Sequence, residues 1–280
     1  MTEIAGRTVL VTGAGSGLGR LMALRLARLG GRVVVWDLDE TGAQRVAGEI
    51  ETQTGSSASA DRVDVRDRAR IAEAADAVRA RVGDVDILVN NAGIMHGGLL
   101  TETPDDVIQA TFEVNALSLF WVTKAFLPAM IERGRGHVVT MASASGKTGV
   151  SRLSAYASSK HAAVGFDESL RAELRRIAPD VRTTVVCPYY VDTGLAEGVE
   201  TRFRFLLPIL EQDDVADRVV RAIQRNQAVL DIPLMVRLIP LMRLLPVPLL
   251  DRLADFLGVN TSMDGFVGRH GSPRDGSRVA

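Results

Sequence analysis

Thr8-Val9-Leu10-Val11-Thr12-Gly13-Ala14-Gly15-Ser16-Gly17-Leu18-Gly19 is a short apolar run that closes on a glycine-rich turn. Behind it, Leu18, Leu21, Met22, Ala23, Leu26 and Leu29 form an amphipathic stretch, so the segment predicts strand, tight turn and helix. Glycines let backbone N–H groups approach a pyrophosphate with no Cβ in the way. The N-terminus of the following helix adds unpaired donors and a partial positive charge. No window fits G-x-G-x-x-G; the pattern is T-G-x-x-x-G-x-G on Thr12, Gly13, Gly17 and Gly19, with Ser16 and Leu18 between the glycines as further cofactor contacts. The bland alternative, a flexible Gly/Ser loop, does not account for the strong patterns on either side.

The alternation continues outward. Strands are expected at Thr8–Thr12, Arg32–Asp37, Ser59–Val63, Asp86–Asn90, His137–Met141, Arg182–Cys187 and Ala228–Ile232. Helices are expected at Gly17–Leu29, Glu40–Glu51, Arg66–Arg81, Pro104–Arg133, Ser154–Ile177 and Asp213–Asn226. Short Val/Ile/Leu runs separated by helical spacers imply parallel strands buried on both faces. Right-handed crossovers then make the fold α/β: a single doubly wound Rossmann domain with a mostly parallel seven-stranded sheet and helices on both faces. The domain is expected over residues 1–268, with a substrate lid at about 195–227, an apolar tail at about 232–257 and a flexible end at 269–280.

Composition narrows the function. The 280 residues are 46% apolar with net charge −1, so no electrostatic footprint for nucleic acid is present. Cys187 is the one cysteine, and Met1 to Arg7 has no apolar signal core; together they lead to the expectation of a cytoplasmic protein. The histidines show no metal-ligand spacing, so no metal is expected.

Asp37 ends the second strand, where a carboxylate can accept both ribose hydroxyls of an adenosine and would repel a 2′-phosphate. Leu38 and Ser16 offer that phosphate no cation, so NAD is expected over NADP. Asp64 and Val65, after the third strand, could hold the adenine edge or form an ordinary turn. Asn91, Ala92 and Gly93 follow the fourth strand, where small residues let the backbone pass close to a flat cofactor. Tyr156 and Lys160, four apart, share one helix face. A free tyrosine is a poor base at neutral pH, and a nearby ammonium favours the phenolate. Ser143, at the end of the fifth strand, can hydrogen-bond a substrate oxygen, and Lys160 can also hold the nicotinamide ribose.

Taken jointly, Thr12-Gly13-x-x-x-Gly17-x-Gly19, Asn90-Asn91-Ala92-Gly93, Ser143 and Tyr156-x-x-x-Lys160 resemble the short-chain dehydrogenase/reductase family over roughly the first 195 residues. The resemblance implies a catalytic tetrad of Asn115, Ser143, Tyr156 and Lys160, with the Asn115 backbone kinking its helix. It places Pro188, Val191 and Thr193 on the nicotinamide carboxamide, although Pro188-Tyr189 stands where many members have Pro-Gly. It also implies a homodimer or homotetramer built on the two long helices. Val35-Trp36-Asp37, Phe120-Trp121-x-x-Lys124-Ala125-Phe126 and Ala162-Ala163-Val164-Gly165-Phe166 are similar to the branch holding retinol dehydrogenases and lipid-droplet 17-beta-hydroxysteroid dehydrogenases. That branch implies an apolar alcohol or carbonyl substrate. A polar sugar or hydroxyacyl substrate and a non-catalytic NAD-binding sensor or membrane-surface protein remain the alternatives.

The last stretch reads differently. Leu195 to Phe266 is expected to form a lid with Phe203, Phe205, Leu206, Leu207 and Ile209 facing substrate. Ile232 to Leu250 is very apolar, yet it carries Arg237, Arg243 and four prolines, which argue against one amphipathic helix. The stretch either packs on the body or a neighbouring subunit, the favoured account, or makes a peripheral membrane contact with its arginines at the headgroups.

Overall fold

A computed structural model describes residues 1–194, 198–203 and 205–266. The first half alternates strictly: β1 (Thr8–Thr12), α1 (Gly17–Arg28), β2 (Arg32–Asp37), α2 (Glu40–Thr54), β3 (Ala58–Arg62), α3 (Arg68–Val82) and β4 (Ile87–Asn90). Then follow α4 (Asp105–Phe112), a π turn at Glu113–Leu117, α5 (Ser118–Glu132), β5 (Gly136–Met141), α6 (Ser154–Ile177) and β6 (Val181–Pro188). The chain ends its sheet with α7 (Gln212–Gln224) and β7 (Val229–Ile232), and continues through α8 (Ile239–Met242) and α9 (Val247–Phe256).

All seven strands are parallel, in the order β3-β2-β1-β4-β5-β6-β7. Val11 pairs with Val35 on one side and Val89 on the other. Because side chains alternate along a strand, Val9, Val11, Val33 and Val35 pack under α1, α2 and α7. Leu10, Val34, Trp36 and Leu88 pack under α3, α5 and α6. Each such side chain contributes roughly 1.5–3 kcal/mol on burial, and this two-layer core fixes the register. The sheet order reverses between β1 and β4, so a crevice opens beyond their carboxyl ends. That edge is formed by Thr12, Asp37, Asn90, Met141 and Pro188, the last residues of β1, β2, β4, β5 and β6.

Three expectations need correction. The helix expected over Pro104–Arg133 is interrupted by the π turn, which contains Asn115. The lid expected at about 195–227 does not extend through 212–224, because Val215, Val219 and Ile223 of α7 are buried in the core beside α1. Its start at Leu195 and the end at 269–280 lie outside the described residues. The apolar tail does not simply pack on the body: Val236 and Ile239 turn inward, but Leu234, Leu241, Leu244 and Val247 are 72, 64, 79 and 67% exposed. Its prolines sit at helix starts, breaking the stretch into a 3-10 turn and two short helices.

Candidate active site

The glycine turn is locked to the end of β4. The Thr12 hydroxyl accepts the backbone N–H groups of Asn91 and Ala92, both at 3.0 Å. The Asn91 amide donates back to the carbonyls of Thr12 and Gly13 at 2.9 and 3.0 Å. Gly13 has φ +64°, and a Cβ on it would lie 2.8 Å from the Ala92 Cα; one on Gly19 would lie 2.2 Å from the Gly13 carbonyl oxygen. The cradle therefore exists only with glycine at both places. Ser16 caps α1 in an extended conformation and Gly17 opens the helix. A cleft of about 450 Å³ opens at this helix N-terminus, lined by Ser16, Gly17, Arg20, Leu21, Thr193, Gln212 and Asp213. Thr193 and the phosphate-binding turn are thus brought to one cleft, while Leu18, one residue further along, packs against the core. This arrangement fits a dinucleotide's pyrophosphate.

Asp37 stands beside the turn. Its carboxylate accepts the N–H of Gly15 at 2.7 Å and that of Asp39 at 2.9 Å, which aims it across the crevice mouth. Neither Leu38 nor Ser16 is cationic, but the Arg45 guanidinium donates from α2 to the Gly15 carbonyl at 2.9 Å. Asp64 is held by the Arg66 guanidinium at 2.7 Å; burial opposes its charge, yet the bonds to Arg66 win and hold it below the usual carboxylate range. Val65 is buried beside it.

Across the crevice, β5 and α6 present the reactive groups. Asn115 is buried in the π turn, where its amide exchanges hydrogen bonds with the backbone of Ile94 at 2.8 and 2.9 Å and donates to the Ser159 hydroxyl at 3.0 Å. Ser159 donates in turn to the Tyr156 carbonyl at 2.7 Å. A π turn adds one residue to a helical turn, and here it directs that side chain toward α6. A Cβ on Gly93 would lie 3.4 Å from the Asn115 side-chain oxygen and 3.5 Å from the Lys160 Nζ, so these three meet. The Ser143 hydroxyl stands close enough to the Tyr156 phenol to favour its ionised form; it donates to the Pro188 carbonyl at 3.5 Å and accepts the N–H of Ser145 at 3.1 Å. All four tetrad residues converge.

Their protonation differs from expectation. Tyr156 is partly accessible but ringed by protein, and this burial pushes its phenol up to about 12 against the lesser pull of Ser143. Burial likewise pushes Lys160 down to about 8. The Lys160 Nζ lies 5.8 Å from the Tyr156 ring centroid and donates to the Met141 carbonyl at 2.8 Å. Burial disfavours both charges and is the largest influence on each.

Beyond β6, Pro188 remains in the strand and Tyr189 donates to the Ile232 carbonyl at 2.7 Å, so pairing continues where the Pro-Gly of other members would turn. Val191 is buried and bridges to Leu210, and the Thr193 N–H returns to the Val191 carbonyl at 2.8 Å.

The expected substrate-facing residues are not brought here. Phe205 is 87% exposed, and Phe203 packs on Phe256 with ring centroids 5.6 Å apart. Leu206 and Leu207 close a turn on the Phe203 carbonyl, and Ile209 is exposed. The side chains clustered with Tyr156 are Met95, Val150, Leu153, Tyr190, Val199, Met263 and Phe266. Tyr189-Tyr190 was a visible signal, an aromatic doublet directly after a strand; Met263 and Phe266 carry no local signal and reach the site only through the fold.

A Rossmann sheet, a dinucleotide cradle and a Ser-Tyr-Lys-Asn cluster define a nicotinamide-dependent oxidoreductase. The chain belongs to the short-chain dehydrogenase family, whose short chain dehydrogenase model matches residues 7–202. It is 41% identical over 274 residues to epidermal retinol dehydrogenase 2 of Mus musculus, covering 95% of this chain and 87% of that one. It is 43% identical over 232 residues to estradiol 17-beta-dehydrogenase 11 of Homo sapiens, covering 82% and 76%. Among solved structures, a short-chain dehydrogenase/reductase from Burkholderia phymatum in complex with NAD superposes with a TM-score of 0.77 at 30% identity, over 85% of this chain and 94% of that one. A metagenomic short-chain oxidoreductase in complex with NADP gives 0.68 at 32% identity, over 82% and 96%. The protein is a short-chain enzyme that interconverts an alcohol and a carbonyl compound.

Proposed function

We propose that the protein interconverts an apolar secondary or allylic alcohol, retinoid-, steroid- or lipid-like, with its carbonyl, using NAD and Tyr156 as acid/base. The observation that carries this reading is the seating of Tyr156 between the Ser143 hydroxyl and the apolar side chains of Leu153, Val199, Met263 and Phe266. A bound nicotinamide would supply the hydride acceptor. Tyr156 takes the proton from the alcohol oxygen, and Ser143 steadies the charge that develops there. Lys160 would hold the ribose of a bound nicotinamide nucleotide and supply positive charge to the Tyr156 phenolate. Asn115 positions the Ile94 segment and, through Ser159, the helix that carries Tyr156. Asp37 favours NAD, because a 2′-phosphate would face its carboxylate.

Two surfaces belong to the same reading. Leu117 and Phe120 are exposed on the π turn and α5, and Phe120 meets Phe166 of α6 edge-on at 4.9 Å; this ridge is the contact of a two-fold assembly. The leucines at 234, 238, 241 and 244 make a second exposed stripe. Arg237 and Arg243 are exposed beside it, and no acidic residue stands between Pro233 and Leu250. That charge matches anionic headgroups, so this stripe rests on a bilayer.

The test is turnover. Retinol, estradiol, 1-decanol, glycerol and a hexose are offered with NAD and with NADP, following cofactor absorbance. Oxidation of the apolar alcohols is expected. Preference for the polar ones, or no turnover with any, defeats the reading.

A further inference from the structure

The wall around Tyr156 comes from three loops far apart in sequence, and the last described segment, Gly258–Phe266, lies across them. A Cβ on Gly97 would lie 2.6 Å from Cδ1 of Phe266 and 2.7 Å from the Met263 methyl. Both side chains therefore occupy the place a side chain at position 97 would take. Three further bonds hold the segment down. The Glu200 N–H donates to the Ser262 carbonyl at 3.1 Å. Arg152, in the loop before α6, pairs with Asp264 at 3.3 Å. The Ser262 hydroxyl donates to the Val259 carbonyl at 2.7 Å and meets the Tyr190 hydroxyl at 3.0 Å. The two hydroxyls share one hydrogen bond, either one donating, so the Tyr190 phenol is tied to the segment.

We propose that Gly258–Phe266 is the cover of the alcohol pocket, seated on Gly97, and that Met263, Phe266 and Tyr190 determine which alcohol is accepted. The cover presents a thioether and a ring, and the Tyr190 hydroxyl is engaged by Ser262. With Met95, Val150, Leu153 and Val199 beside them, the pocket takes a carbinol set in apolar bulk. A second oxygen close to the carbinol would be desolvated without a partner, which is strongly disfavoured. This deepens the apolar-alcohol reading and rests on it for the chemistry, but not for the binding.

The test separates the two. Gly97→Val displaces only the ends of Phe266 and Met263, and Phe266→Ala removes the ring itself. All-trans-retinol binding is followed by its own fluorescence, and NADH binding by that of the cofactor, in the full-length chain. Both variants are expected to weaken retinol at least about tenfold and to leave NADH affinity and Tm nearly unchanged. Unchanged retinol affinity in both variants overturns the proposal. So does a parallel loss of NADH binding, or a wild-type chain that binds neither retinol nor 1-decanol. Retinol that binds the wild type but is not oxidised defeats the enzymatic reading and leaves the cover standing.

Discussion

The Lys160 ammonium donates to the carbonyl oxygen of Met141 at 2.8 Å. This bond fastens α6 to the last residue of β5, two residues before Ser143. Ser143 and Tyr156 come from different elements, and this bond ties the helix of one to the strand end beside the other. Removing the lysine therefore disturbs geometry as well as charge.

Tyr156→Phe removes only the proton-transfer oxygen. NADH affinity and Tm should stay near wild type while kcat falls by at least about 100-fold. A variant that keeps a tenth or more of the activity would remove Tyr156 from the acid/base role. Lys160→Ala should lower kcat and weaken the cofactor together, measured by steady-state kinetics and NADH titration.

In the proposed reaction alcohol oxidation runs through the Tyr156 phenolate, and burial pushes the phenol up to about 12. The base form therefore becomes scarcer as pH falls. For oxidation, kcat/KM should rise with pH from neutrality upward, and carbonyl reduction, which needs the phenol, should not share that rise. The profile bends where Lys160, pushed down to about 8 by burial, loses its charge. A flat oxidation profile from about pH 6 to 9 would contradict this.

Asp37 should make NAD the better substrate by kcat/KM. Asp37→Ser with Leu38→Arg should shift the preference toward NADP, helped by Arg45 behind Gly15. A wild type that prefers NADP refutes the role given to Asp37.

Asp167 is fully buried, with one carboxylate oxygen lacking a hydrogen bond and the other 3.3 Å from the Thr183 hydroxyl. Burial pushes it up to about 7, with Arg171 opposing. Its folded pKa is raised, so its contribution to stability is fully present below the unfolded value and is lost as pH rises through the folded one. Asp167→Asn should match wild type near pH 4 and exceed it increasingly toward pH 7 and above, by on the order of 4 kcal/mol at most. Thermal melts across that range check it. A difference independent of pH would show that the carboxyl is ionised in the fold.

Phe120→Asp should convert a dimer or tetramer to a monomer in light scattering, because it places a charge on the ridge with Phe166. Leu241→Glu with Leu244→Glu should leave the assembly intact and abolish co-sedimentation with anionic vesicles. If wild type stays in the supernatant with anionic and neutral vesicles alike, the bilayer account fails; if the leucine variant alone changes oligomeric state, a second copy covers the stripe.

The sheet, the glycine turn and the pairing of Tyr156 with Lys160 are legible in the sequence, while Asn115 enters only through the family resemblance. Val9-Leu10-Val11 and Val33-Val34-Val35 are apolar at every position because both faces of a parallel strand are buried, and such runs are legible locally. Gly13 and Gly19 are legible for the same reason: the constraint acts on the residue itself. Tyr156 and Lys160 were legible because four residues on a helix are always neighbours. Other features depend on packing between distant segments. Within the stretch expected to form the lid, Phe203 packs on Phe256 and Phe205 is exposed, while Met263 and Phe266 join the cluster with Tyr156, since whether an aromatic faces a pocket or solvent depends on which distant loops it meets. Arg45 approaches Gly15 across thirty residues of chain, a distance that only the packing of α2 on the first turn closes. The spacing of Tyr156 and Lys160 reports their proximity, whereas the burial that pushes the phenol up and the ammonium down is set by the packing around them.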